Sequence, residues 1–203
     1  MIVIIKVYFL YELILYIYLQ FANRELIIVI MKKHNGMRPQ DIIVLLKIIS
    51  IRDEKWRNID IANAIGISPS EVSEALNRCK IAKLIDNKKR KVNINSFTEF
   101  LVYGLKYVFP TEPGAVVKGT PTAHSASPIK EYIASDTDIY VWANSKGTHR
   151  GQAIEPLYKT LPQIVQEDKL FYELLTIVDT IRVGRVREIQ IAIDELNKRL
   201  KNA

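Results

Sequence analysis

The sequence predicts a mainly α protein of the α+β class with a small β-hairpin, and three observations carry the prediction. Residues 39–51 space Ile42, Val44, Leu45, Leu46, Ile48 and Ile49 at mixed intervals of three and four. That is helical periodicity with little room for a solvated face. Gly66 is followed by Ser68-Pro69-Ser70-Glu71, a complete helix start: a capping hydroxyl, a proline suited to the first turn, and a carboxylate three residues on. Residues 168–201 step Leu170, Leu174, Ile177 and Ile181, then Val186, Ile189, Ile193, Leu196 and Leu200, on either side of Gly184. This spacing predicts a helical hairpin with a 3-4 packing seam.

Taken in order, the first thirty residues differ from the rest. Twenty-two of them are Ile, Val, Leu, Phe or Tyr, with no periodicity. Residues 1–36 are therefore expected to be an apolar N-terminal extension, open to three readings. Translation begins at Met31 or Met37; or residues 7–23 anchor the chain in a membrane despite Glu12; or the segment is a buried helix. A secretory signal is disfavoured, because only Lys6 precedes the apolar run and no small-residue cleavage pattern follows. A membrane partner is implied only if residues 1–30 belong to the mature protein.

Residues 37–110 are expected to form one domain. After the 39–51 helix, Asn58 is a candidate N-cap for a short helix with Ile61, Ala62 and Ile65 on one face. Gly66 supplies the left-handed stop. The next helix, about 69–85, turns Val72, Ala75, Leu76 and Cys79 inward and Ser70, Ser73, Asn77 and Lys80 outward, with Glu74 and Arg78 flanking. Cys79 reads as a packed core thiol. Two strand-like runs then enclose Asn87-Lys88-Lys89-Arg90-Lys91, a hairpin with a cationic tip. Ser96 and Glu99 suggest a second capping box, opening a helix over Phe97–Val108 that ends before Pro110.

The chain carries a formal net charge of +7, and its location matters more than its size. Residues 77–91 hold seven cations and one anion, whereas residues 92–203 hold thirteen of each. A localised basic field on an otherwise balanced chain points to a polyanion on one face. A single cysteine excludes an intramolecular disulfide and a cysteine-based zinc site, and three histidines argue against a multi-histidine metal centre. No metal and no cofactor are expected, and the cysteine count suits the cytoplasm.

The stretch IANAIGISPSEVSEALNRCKIAKLI with its basic hairpin resembles the winged helix-turn-helix module of transcription regulators of the MarR and Lrp types, over about residues 37–95. The resemblance implies a homodimer on double-stranded DNA, with the helix after Gly66 in the major groove. Ser68, Ser70, Ser73, Glu74, Asn77, Arg78 and Lys80 then fall on the recognition helix, and Lys88, Lys89, Arg90 and Lys91 on the wing. The chain departs from the MarR pattern in lacking long flanking helices. Small polar groups near a helix start can reach base edges while longer cations reach phosphates.

Residues 111–203 are expected to be a smaller mixed region for dimerisation or partner binding. Ala115–Val117 and Asp138–Trp142 read as strands, Asn144–Gly151 as a mobile basic loop, and Arg182, Arg185 and Arg187 as a cationic bend. His124 beside Ser125 invites a nucleophile–base pair, but no G-x-S-x-G elbow accompanies them, so an enzyme is not expected. The alternative to a regulator is an antitoxin-like protein that autoregulates its operon and binds a protein encoded nearby through its C-terminal half.

Overall fold

The computed structural model describes residues 36–52, 55–133 and 138–201; the readings offered for residues 1–30 lie outside them. The described chain is mainly helical with a small three-stranded sheet. No helix among the described residues is long and apolar enough to cross a membrane.

Helix α1 spans Pro39–Ile51 and is buried on every side from Asp41 to Ile49, as its all-round apolar pattern requires. It packs against α2 (Asn58–Ile65), α3 (Pro69–Ile81) and α7 (Lys169–Val183). The N-cap of α2 is Arg57 rather than Asn58, because the Asp60 carboxylate accepts the Arg57 N–H at 2.9 Å. Gly66 ends α2 at φ 70 with its N–H on the Ala62 carbonyl, a left-handed turn that glycine makes without steric cost. Helix α3 ends at Ile81, four residues short of the expected boundary, since Lys83 turns left-handed at φ 62.

The expected hairpin strands contract to a single antiparallel bridge, Ile85 to Val92. Asp86 holds the loop between them, its Oδ1 accepting the N–H groups of Arg90 at 2.6 Å and Lys91 at 3.0 Å. Helix α4 starts at Ile94 (Ile94–Glu99), earlier than its supposed capping box, so Ser96 and Glu99 lie inside it. The Asn93 carbonyl already accepts the Phe97 N–H at 2.9 Å. A π-helical turn, Phe100–Gly104, joins α4 to α5 (Leu105–Val108).

Strands β1 (Val116–Pro121), β2 (Tyr140–Ala143) and β3 (His149–Ala153) each pair with both others, so the ladder closes on itself. β1 is antiparallel to β2 and β3, which are parallel to one another. The region read as a mobile loop thus ends in a strand. The closure depends on bare backbone: a Cβ on Gly119 would sit 2.1 Å from the Trp142 carbonyl oxygen, and one on Gly151 2.2 Å from that of Ile139. A short helix α6 (Leu161–Ile164) leads to α7 and α8 (Val186–Leu200), the expected hairpin. Its seam differs in one place: Val186 is 87% exposed, while Ala192, Glu195, Leu196 and Leu200 are buried.

Residues 37–203 form one compact unit. The core runs through residue 110 without a break, bringing Leu45, Leu76 and Leu101 into one cluster with Trp142, Leu174 and Leu196. Polar ties cross the same boundary. Lys47 Nζ lies 2.7 Å from Asp168 Oδ2, which also accepts the Ser50 hydroxyl at 2.9 Å. Burial opposes the charge on Asp168, but donors from Lys47, the Phe171 backbone and Ser50 outweigh it and hold its pKa below the ordinary value.

Candidate nucleic-acid interface

Helix α3 owes its position to its own first turn. Ser68 Oγ accepts the Glu71 N–H at 3.2 Å, and Glu71 Oε2 accepts the Ser68 N–H and hydroxyl at 2.8 Å each. The hydrogen bonds from Ser68 and the nearby charge of Lys159 lower the Glu71 pKa. Ser68 therefore spends its hydroxyl on the cap. Val72, Ala75, Leu76 and Cys79 face the core, and burial pushes the Cys79 thiol far above its usual range.

The other face stays open. Ser70, Glu74 and Asn77 are exposed, and Ser73 and Lys80 are half-buried. The cationic loop lies beside it: Lys89 Nζ donates to Asn77 Oδ1, joining the loop to the helix. Lys89 reaches it from a left-handed backbone, φ 57. Lys88 and Lys91 are exposed, and with Lys80 they form no ion pair within 4 Å among the described residues. Asp86 is the acid inside the loop. Burial raises its pKa, but the N–H groups of Lys91, Arg90 and Lys88 reverse the sign and keep it low. Its carboxylate is thus fixed on the loop's backbone.

Two expected contact residues have other duties. Arg78 does not project outward: its guanidinium grips Asp41 at 2.7–3.1 Å, and Asp41 is fully buried. A buried carboxylate needs such a partner. Arg90 folds back over the Trp56 ring, 4.9 Å from its centroid, and donates to the Trp56 carbonyl at 2.6 Å. Its charge remains at the surface, but its side chain braces the loop.

Two residues at this face come from far along the chain. The Thr160 hydroxyl donates to the Ile65 carbonyl at 2.8 Å, and its side chain lies 3.4 Å from where a Gly66 Cβ would stand. Lys159, exposed, sits close enough to Glu71 to affect its titration. Local periodicity carries no sign of either, because the contact forms only once α6 has packed near α2.

In the C-terminal half, Ser125 Oγ accepts the Tyr140 N–H at 2.8 Å and His124 Nε2 lies 2.6 Å from the Asp138 carbonyl oxygen. The two side chains thus point to separate partners. Arg182 is no part of a solvated bend: its side chain is buried, paired with Asp179 at 2.8 Å and bonded to the Phe109 carbonyl at 3.0 Å. No group of three or more potential metal-ligating side chains occurs among the described residues.

No protein-family model matches the chain, and neither a curated protein nor a solved structure matches it.

Proposed function

We propose that this chain is a cytoplasmic, sequence-specific DNA-binding transcription regulator whose residues 37–110 act as a winged helix-turn-helix. In this reading α3 enters the major groove and the 86–91 loop lies on the phosphate backbone. The observation that carries it is the joining of an open polar helix face to a cationic loop through Lys89 and Asn77. Small polar groups on the helix suit base edges, while Lys80, Lys88 and Lys91 suit phosphates. Lys159 extends the cationic surface toward the N-terminus of α3. Action as a dimer draws support from Tyr103 and Tyr107, one turn apart and 72% and 74% exposed, an aromatic surface suited to a second copy.

Fluorescence anisotropy on duplex DNA tests the reading. The fragment upstream of the gene should bind more tightly than random sequence, with affinity falling steeply as salt rises. Asn77→Ala or Ser73→Ala should cost about 1–3 kcal/mol of discrimination between the two duplexes. Salt-independent binding, or Asn77→Ala and Ser73→Ala variants that discriminate between the duplexes as the wild type does, would remove the proposal.

A further inference from the structure

A cavity of about 400 Å³ opens between the short 3₁₀ segments after β1 and the start of α8, lined by His124, Tyr132, Ile133, Asp138, Arg185, Arg187 and Glu188. Its volume is within the range of small-molecule sites. One wall is built around His124, which is 5% exposed. The residue before it, Ala123, holds a left-handed φ of 50, a conformation that non-glycine residues adopt only when the surroundings enforce it. The ring packs edge-on against Tyr140, 4.5 Å between centroids.

The hydrogen bonding of that ring defines what the cavity offers. Nε2 lies 2.6 Å from the Asp138 carbonyl oxygen. A carbonyl can only accept, so Nε2 carries a proton, and in the neutral form of the ring Nδ1 presents a bare lone pair. Nδ1 is buried and has no hydrogen-bond partner. It faces Glu188 Oε2 at 3.7 Å, an oxygen already fixed by the Arg185 N–H at 2.8 Å. Two acceptors, one of them anionic, thus converge on one space, and a buried acceptor without a donor is costly.

The rim has the opposite character. Arg185 pairs with Asp138 at 3.2 Å, whereas Arg187 is exposed and forms no ion pair among the described residues. The inner wall calls for a cationic donor, and the mouth leaves one guanidinium for an anion. We infer that this cavity binds a small zwitterion, its ammonium group bridging His124 Nδ1 and the Glu188 carboxylate and its acid group meeting Arg187. The cavity shares no lining residue with the proposed nucleic-acid interface.

Calorimetric titration of the full chain with glycine, 4-aminobutyrate and 6-aminohexanoate tests this, with methylammonium and acetate as half-ligands. At least one zwitterion should saturate the protein below about 10 mM and bind more tightly than either half-ligand. His124 is buried in the fold, so the informative substitutions lie at Glu188 and Arg187. Glu188→Gln keeps an oxygen for the Arg185 N–H but removes the charge, and should weaken binding about tenfold or more. Arg187→Gln should weaken the zwitterion while leaving methylammonium unaffected. Absence of binding by every probe, or binding that both substitutions leave unchanged, overturns the inference.

Discussion

Two stretches of this protein are dense in charge, and they use it in opposite ways. Along residues 77–91 the cations outnumber the acids, and Lys80, Lys88 and Lys91 form no ion pair within 4 Å among the described residues. In the α7–α8 hairpin almost every charge is matched. Arg199 bridges Glu173 and Glu195, Lys198 and Tyr132 also reach Glu195, and Arg182 neutralises the buried Asp179. Asp179 in turn accepts from Trp142 and Thr122 at 2.6 and 2.9 Å. The first region leaves several cations at the surface; the second uses its charges to fix the positions of helices. Arg78 marks the border, since it sits on the first stretch but behaves like the second.

The sharpest break between the two behaviours should appear at Arg78. Arg78→Ala leaves the fully buried Asp41 without its ion-pair partner, with only the Arg38 N–H at 2.9 Å among the described residues, and should cost about 3–5 kcal/mol, read from urea unfolding. An effect near zero would return Arg78 to the exposed set. Next comes Asp168→Asn, which removes the partner of Lys47 and weakens the α7 cap, and should cost about 2 kcal/mol at neutral pH. Because the Asp168 pKa is lowered on folding, its contribution is present above the ordinary aspartate value of 3.8 and disappears as pH falls through the folded value. Wild-type stability should therefore lose this component below pH 3.8, and the Asp168→Asn variant should lack it.

Thr160→Val should cost about 1 kcal/mol, the loss of one hydrogen bond at the Ile65 carbonyl. A DNA-binding measurement on the same variant shows whether the brace beneath the turn matters to α3. The smallest stability effect belongs to Lys88→Ala and Lys91→Ala, within about 0.5 kcal/mol. Each should instead reduce the slope of log affinity against log salt by about 1 on every duplex tested. A large loss of stability with an unchanged salt slope would place these lysines with the structural charges.

What the amino-acid pattern revealed was local. The bounds of α1, the Ser68–Glu71 box and the Gly184 break all depend on residues within one turn of each other, and all appear in the structure. Misreadings arose where a distant group intervened. Arg78 looked outward until Asp41, 37 residues earlier, claimed it. His149–Gly151 reads as loop from its own residues because its hydrogen-bond partners lie on β1 and β2. Counting cations along residues 77–91 located the candidate face but could not show that Arg90 lies on Trp56, nor that Lys159 joins from the other half. Helix α1 was legible as buried, but not by what: its far flank is closed by α7.

That closure bears on whether either half can fold without the other. A segment cut after residue 110 would carry away α1 with one flank stripped of its cover, and the bend at Gly66 without the hydroxyl beneath it. Made alone, residues 37–110 should therefore lose the cooperative thermal transition of the full chain. Heating the full chain should accordingly melt both halves in a single step.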